Sequence, residues 1–299
     1  MIANIFSSRV VNDLVLGATS GIVISLLALS LVIIWQSTQL LNFAQGTMSM
    51  FATYIGLTTI DRGLNQWVAI FIAIAAGVVV GAVTERVLAR PLYGQPELNG
   101  IVVMIGFSIL LTTVMASIWS PYPRFYTAPV STVFFQSGGM PTGLSPYGLF
   151  QLAAGVGVML FVAAVFRFTK IGLQLRASAL APEVARLLGV RVNRMLTLGW
   201  AFSIGVGAVA GIVTSFGDFG LSPSVLDSLF VLGFIAAAIG GLTSPTGALV
   251  AGLLIGEVTQ FVSDYLNSGY ALFSSVIILI VVLMWRPQGL FSQNTERRI

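Results

Sequence analysis

The stretch Leu14–Trp35, LVLGATSGIVISLLALSLVIIW, decides the fold class, because it carries no charge over a length that crosses a bilayer. As a helix it spans about 33 Å, and the hydrocarbon core of a membrane is about 30 Å thick. It is too long for the apolar region of a signal peptide, and no clear cleavage site follows it. The sequence therefore predicts a transmembrane helix here.

The rest of the chain repeats this pattern. Of its 299 residues, 57% are hydrophobic and only 8% are charged, against roughly 25% charged residues in soluble domains. Further apolar stretches of spanning length are Leu40–Ile60, Trp67–Thr84, Gly100–Trp119, Tyr147–Phe166, Met195–Phe216 and Tyr270–Trp285. We therefore predict an all-α, polytopic membrane helix bundle of about 8–9 transmembrane helices, forming a single domain over residues 1–299.

One apolar region, Leu226–Val262, is broken by the sequence GGLTSPTG at Gly240–Gly247. Each flanking piece has about 15 residues, roughly 22 Å as a helix, which is short for the membrane core. The sequence therefore predicts a Gly/Pro-broken helix pair near the C-terminus. Broken helices build the pathway in many transporters, although a plain hairpin with a tight turn explains this sequence equally well.

The distribution of basic residues predicts the orientation. The segment Arg167–Arg194 carries Arg167, Lys170, Arg176, Arg186, Arg191 and Arg194 against the single acid Glu183, which places it in the cytoplasm. The N-terminus, Ser120–Pro146 and Gly217–Asp227 are then external. This arrangement leaves 11 of the 14 basic residues inside, including Arg86, Arg90, Arg286, Arg297 and Arg298.

Several kinds of chemistry are excluded by composition. The chain has no Cys and no His, so it offers no disulfide, thiol nucleophile, His-based catalysis, or Cys/His metal site. It contains no Gly-x-x-x-x-Gly-Lys-Ser/Thr phosphate loop, so any ATPase that drives it is a separate chain. The basic residues lie in short loops and do not form a nucleic-acid footprint. We expect no enzyme activity, cofactor, metal or nucleic-acid partner.

Few ionisable residues lie within the apolar stretches, and one polar cluster opens the second stretch; both supply candidate pathway residues. Asn42, Gln45 and Thr47 open the second stretch, where they act either as hydrogen-bonding glue between helices or as a polar lining for a small solute. Glu257 is the one acid well inside a predicted span, so it faces a pathway or pairs two helices. Glu85 is expected to form an interfacial ion pair with the adjacent Arg86.

The basic segment itself predicts two short amphipathic helices. The first covers Gly172–Ala181, and the second begins at Pro182 and ends at Gly189, since Pro suits a first turn and Gly a helix end. They present Leu173, Leu187 and Leu188 between arginines. Such a segment lies on the membrane surface or docks into a groove on a partner.

Four motifs in this order resemble one family. They are Leu41-Asn42-Phe43-Ala44-Gln45-Gly46, Glu85-Arg86 with Arg90-Pro91-Leu92, Gly172…Leu175-Arg176-Ala177…Ala185…Leu188-Gly189-Val190, and Gly240-Gly241…Gly247-Ala248…Gly252…Gly256-Glu257. From about Leu14 to Trp285, the chain is similar to the permease subunit of branched-chain amino acid ABC importers, the smaller of the two paired permeases.

This resemblance implies the partners and the location. It implies a channel-forming subunit in the cytoplasmic (inner) membrane of a bacterium or archaeon, in contact with lipid. The implied partners are a second homologous permease, two cytosolic ABC ATPase subunits and an extracytoplasmic solute-binding protein. The basic segment then contacts the ATPase, through Gly172, Arg176, Ala177, Glu183, Ala185 and Gly189.

The chain departs from the family pattern along the expected pathway. Gln45 stands where the family often has His, Thr47 where it often has an acid, and Val231–Phe234 where relatives often carry Lys. Leu180-Ala181-Pro182 also precedes Glu183, where an acid commonly follows Arg-Ala. The expected solute is a branched-chain or similar amino acid, and the alternatives are urea, short amides or other small organic molecules. A self-sufficient secondary carrier or channel is the alternative from another class.

Overall fold

The computed structural model describes residues 2–137, 140–142, 144–217 and 220–292. This part of the chain contains eleven α-helices and one hairpin of two-residue strands, β1 (Gln136–Ser137) and β2 (Met140–Pro141). The helices are α1 (Ile2–Thr38), α2 (Gln45–Leu57), α3 (Gln66–Thr84), α4 (Glu97–Trp119), α5 (Pro146–Phe168), α6 (Lys170–Leu180), α7 (Pro182–Leu187), α8 (Val192–Ser215), α9 (Val225–Gly240), α10 (Pro245–Tyr265) and α11 (Ala271–Trp285).

The predicted fold class is confirmed. Seven helices of the described chain are long and apolar enough to cross a membrane, and these are α1, α3, α4, α5, α8, α10 and α11. The shorter apolar helix α9 brings the number to eight, which agrees with the predicted eight or nine.

Two predicted spans were wrong in extent. The stretch Leu40–Ile60 is helical only over α2, 13 residues, because the Asn42 side chain accepts a hydrogen bond from the Ala44 N–H (3.0 Å) and holds a turn before the helix. The second half of the broken pair is not short, since α10 has 21 residues. Pro245 starts it directly after the break, with Ser244 as its N-cap. Only α9, with 16 residues, is short.

The helices α1 and α8 form the centre of the bundle, with 83% and 78% of their apolar windows buried, against 17% for α4 and 6% for α11. Small residues allow the close approach of their neighbours. A Cβ atom at Gly252 of α10 would lie 2.6 Å from the Cα of Ser25 in α1. Close packing of this kind holds helices together in lipid, where no hydrophobic effect drives them to associate.

We call the end of the bundle that carries residues 167–194 the basic end. There Glu85 is fully buried and pairs with Arg90, not with the predicted Arg86; the Arg90 Nη2 lies 2.8 Å from Glu85 Oε2. A π-helical turn over Glu85–Ala89 explains why Arg90 replaces Arg86 as the partner. In this turn the Arg90 backbone N–H donates to the Glu85 carbonyl, five residues earlier. The Thr197 hydroxyl of α8 donates to the same carboxylate (2.7 Å).

At the opposite end, the segment after α4 runs across the bundle. Arg124 and Leu221 exchange two backbone hydrogen bonds (2.9 and 2.7 Å). The Arg124 guanidinium and the Tyr126 hydroxyl both donate to Asp61 (3.1 Å each). Burial, together with the neighbouring Asp61 carboxylate, raises the pKa of Tyr126, so its hydroxyl keeps the proton that it donates.

The chain after α11 folds back under α9. The backbone N–H groups of Leu290 and Phe291 donate to the carbonyls of Ile239 and Gly240 (2.8 and 3.2 Å). These carbonyls lie in the last turn of α9, where no partner exists within the helix. The predicted internal residues Arg297 and Arg298, and the predicted external Asp218, lie outside the described residues.

Candidate functional site

Two short helices begin inside the bundle, close to each other. Gln45, the first residue of α2, contacts Ser203, which is about three turns into α8. The amino end of α9 lies beside it, since a Cβ atom at Gly46 would be 3.2 Å from both the Leu226 carbonyl oxygen and the Phe230 Cβ. The amino ends of α2 and α9 therefore meet within the bundle.

Asn42 and Gln45, two of the candidate pathway residues, are fully buried and hydrogen-bonded. The Asn42 amide donates to Gln45 Oε1 (3.1 Å), and the Gln45 amide donates to the Ser203 carbonyl (3.4 Å). The Ser203 hydroxyl in turn donates to the Ser30 carbonyl of α1 (2.6 Å). Their polar atoms thus join α1, α2 and α8.

Further residues on the same face of α2 also contact α8. Gln45, Ser49 and Thr53 are spaced four residues apart, so they lie on one face of the helix. Ser49 and Thr53 occupy the space over Gly207 and Gly211 of α8, where any Cβ atom would collide with their hydroxyls. This geometry favours the glue interpretation for Asn42 and Gln45.

Thr47 lies on a different face of α2 and meets two other helices. Its hydroxyl is 2.6 Å from the Ser108 hydroxyl of α4 and donates to the Asp227 carboxylate of α9 at 3.4 Å. We call Thr47, Ser108 and Asp227 the seam cluster. Asp227 is only partly buried, so its carboxylate has room for a further partner.

Sequence reasoning missed Asp227 and Ser108. The sequence predicts Asp227 in the external connection Gly217–Asp227, although the apolar region is expected to begin at Leu226. An acid just before such a run is nevertheless a signal of a helix amino end. Ser108 is one of four hydroxyl residues in the apolar stretch Gly100–Trp119, and nothing in its sequence neighbourhood distinguishes it.

Glu257, the remaining pathway candidate, lies elsewhere. Its carboxylate packs against Gly17 of α1, where a Cβ atom would be 2.8 Å from the Glu257 Cδ. Its Oε2 atom is buried and has no hydrogen-bond partner among the described residues. The structure does not bring it together with Asn42, Gln45 or Thr47, and its position fits the helix-pairing alternative.

The basic segment folds into the two short helices α6 and α7, and Gly189 (φ +80°) ends the second one. The turn from α5 into α6 is tight, since a Cβ atom at Gly172 would be 2.5 Å from the Phe166 Cα. Arg176 donates to the Phe166 carbonyl at the end of α5 (3.0 Å). Arg176 therefore braces the segment against α5.

The segment also presents an apolar surface. Leu187 and Leu188 are 87% and 78% exposed, and Leu173, Leu180 and Val184 are exposed as well. Among the other residues predicted to contact the ATPase, Glu183 is exposed, Ala177 is partly buried, and Ala185 is buried and packs α7 inward. We call the five exposed apolar residues the docking face.

Comparison with known proteins identifies the family. The sequence profile described as "Branched-chain amino acid transport system / permease component" matches residues 14–284, which is most of the chain. This chain belongs to that family. The permease is thus a multi-pass membrane component of a transport system, as the resemblance predicted.

Curated relatives match this permease over nearly their full length. The permease protein BraD of the high-affinity branched-chain amino acid transport system of Pseudomonas aeruginosa is 28% identical over 298 residues, covering 96% of this chain and 97% of BraD. LivH of Methanocaldococcus jannaschii, a probable branched-chain amino acid transport permease, is 26% identical, with coverages of 89% and 87%. LivH of Escherichia coli K12 is 24% identical, with coverages of 95% and 96%. These relatives are transport permeases and not enzymes.

Proposed function

We propose that this permease is the channel-forming subunit of an ABC importer for branched-chain or similar amino acids, driven by separate ATPase subunits. The observation that carries the proposal is the docking face. Exposed leucines on a short helix between arginines suit a groove on a partner protein. The relatives named for branched-chain amino acid transport supply the solute class.

Movement of α7 has two routes into the bundle. One route runs through α6, which Arg176 ties to the end of α5. The other runs through α8, whose Thr197 binds Glu85 and Arg90 at the end of α3. An ATPase that closes against the docking face would shift α5, α8 and α3 together, and so bias the bundle between two states.

We propose the assembly that the family resemblance implies. We place the basic end in the cytoplasm of a bacterial or archaeal cell, where two ATPases bind, and pair the permease with a second homologous permease. An extracytoplasmic binding protein delivers solute at the opposite end, over Ser120–Pro146. The permease itself hydrolyses no ATP.

The seam cluster is the proposed point of contact with solute. An acid often stands at the position of Thr47 in the family, and here the Thr47 hydroxyl contacts the Asp227 carboxylate instead. Asp227 therefore supplies from α9 the negative charge that α2 lacks. A carboxylate in this place suits the ammonium group of an amino acid better than it suits urea or an amide.

The test is reconstitution of the permease with its partner permease, ATPases and binding protein in liposomes. We expect ATP-dependent uptake of leucine, isoleucine or valine. Leu187→Asp should remove ATPase binding by placing a charge in an apolar contact, whereas Leu64→Asp, an exposed leucine at the opposite end, should leave it intact. Equal ATPase binding by both variants would refute the docking face. Uptake of urea or acetamide in place of the amino acids, or uptake without ATPases, would favour the alternatives.

Orientation has a direct test, because the chain contains no Cys. A single Cys at exposed Arg186 should resist a membrane-impermeant thiol reagent added to intact cells, and a Cys at Tyr122 (76% exposed) should react. The reverse pattern would overturn the assigned topology.

A further inference from the structure

A cavity of about 90 Å³ opens at the basic end, between the end of α1, the non-helical segment 39–41 and the start of α4. Trp35, Gly100, Ile101 and Met104 line it, together with Trp200, whose side chain is fully buried. Glu97 is the single ionisable side chain among the described residues that line it, and Gln39 adds an amide.

The cavity lies on the same face of α4 as the seam cluster. Glu97, Gly100, Met104 and Ser108 follow one another at intervals of three or four residues, so they form one stripe along the helix. Met104 is one turn, about 6 Å, from Ser108. The cavity therefore lies on the basic-end side of the seam cluster, along the same stripe of α4.

The backbone that forms one wall is unusual. Segment 39–44 is non-helical between α1 and α2, and irregular backbone at membrane depth is tolerated where protein buries it or a cavity is lined by it. Gln39 has φ +56°, a left-handed conformation that is uncommon for a residue other than Gly. Strained backbone of this kind clusters at binding sites.

The size and chemistry of the cavity define what it accepts. At about 30 Å³ per water-sized group, 90 Å³ holds roughly three such groups, which matches a short branched aliphatic side chain. The lining is mostly apolar and aromatic, with a carboxylate at Glu97. A ligand with a short branched apolar tail and an ammonium group satisfies both parts.

We propose that this cavity is an inner binding site for the imported solute, in which a branched aliphatic side chain packs against Trp35 and the ammonium group pairs with Glu97. The inference rests on the proposed import function and extends it to a second station along α4. It also assigns side-chain selectivity to the permease, in addition to any selectivity of a binding protein.

Gly100 gives a clean test, because a Cβ atom there meets nothing within 4 Å. Gly100→Leu places an aliphatic side chain in the cavity from a position where its Cβ atom meets no other atom. In the reconstituted importer, we expect uptake of leucine to fall about tenfold or more, with a smaller fall for alanine, since pockets discriminate side chains by size on this scale. Gly100→Ala should lie between wild type and Gly100→Leu.

Two matched controls use glycines that also have open space, Gly106 on α4 and Gly157 on α5. Gly106→Leu and Gly157→Leu should import leucine and alanine as the wild type does. Glu97→Gln should weaken uptake of amino acids while leaving thermal stability unchanged.

The outcomes separate the two proposals. If wild type fails to import amino acids, the proposed function fails. If wild type imports them and Gly100→Leu has the leucine-to-alanine ratio of wild type, the inner site is wrong. If Gly100→Leu and Gly100→Ala both lose the ATPases or the second permease, the cavity serves assembly, and the inner site is again wrong.

Discussion

The helices α2 and α9 share one feature, an amino end within the bundle, but the polar residues at the two ends have different roles. Both are short, and their amino ends meet within the bundle. At α2 the side chains of Asn42 and Gln45 are fully buried and bonded to α8. At α9 the carboxylate of Asp227 is only partly buried and accepts one long hydrogen bond from Thr47 (3.4 Å). One helix start is fixed by its polar residues, and the other leaves a polar group available.

The comparison shows which polar residues of a membrane protein hold helices together and which remain free to bind a solute. The amino end of a helix carries about half a positive charge, so two such ends stabilise a carboxylate placed between them. Asp227 thereby stays within the bundle without a full set of partners. Side chains whose hydrogen bonds are complete hold helices together, while one with spare capacity can bind a solute.

The largest effect is expected where α2 is fixed. Gly207→Leu forces a side chain into the space of the Ser49 hydroxyl, and overpacking costs about 1–3 kcal/mol or more. We expect little folded permease and a strongly lowered melting temperature in detergent. Gly157→Leu, which meets open space, is the control. Equal melting temperatures for both variants would show that α2 is not held tightly on α8.

A smaller effect, on transport alone, is expected at α9. Asp227→Asn removes the charge and keeps the shape, so import should fall about tenfold, which corresponds to the roughly 1.4 kcal/mol that a charged hydrogen bond supplies. The melting temperature should stay within a few degrees. Asp264→Asn, which breaks an exposed ion pair with Arg9, should change neither quantity. Import by Asp227→Asn at the wild-type rate would remove Asp227 from the pathway.

The smallest effects separate the two faces of α2. Gln45→Leu should lower the free energy of unfolding by about 0.6–1.7 kcal/mol, the range of hydrogen bonds between membrane helices, while import per folded molecule is unchanged. Thr47→Val should change import a few-fold and stability by about 0.6 kcal/mol or less. Steric trapping or thermal unfolding measures the first quantity and liposome uptake the second. The opposite assignment of effects would reverse the roles given to the two faces.

Much of the fold was predictable, because membrane thickness fixes helix length. Gly100–Trp119 and Tyr147–Phe166 differ from α4 and α5 by only a few residues. Prediction failed where side chains reshape the backbone. The turn held by Asn42 delays α2, the cap at Ser244 and Pro245 restarts α10, and the π-turn at Glu85 selects Arg90 over Arg86 as its partner.

The candidate site was predictable only in part. The sequence identifies the polar residues at the start of α2 but not their different roles. Helix geometry gives a signal that could have separated them, since Gln45 and Thr47 lie about 200° apart around a helix. Asp227 and Ser108 reach Thr47 from α9 and α4, which are distant in sequence, so no local pattern could join them. Glu257 looked equivalent to the others by polarity, and only the packing of α1 on α10 separates it.

The fold-back of residues 290 and 291 under α9 has a consequence for biosynthesis. The last turn of α9 gains its final donors only after α11 and the residues that follow it have been synthesised. A nascent chain that stops after α11 therefore leaves two carbonyls open at the membrane surface. A tag is therefore better fused beyond residue 292 than in place of residues 290 and 291.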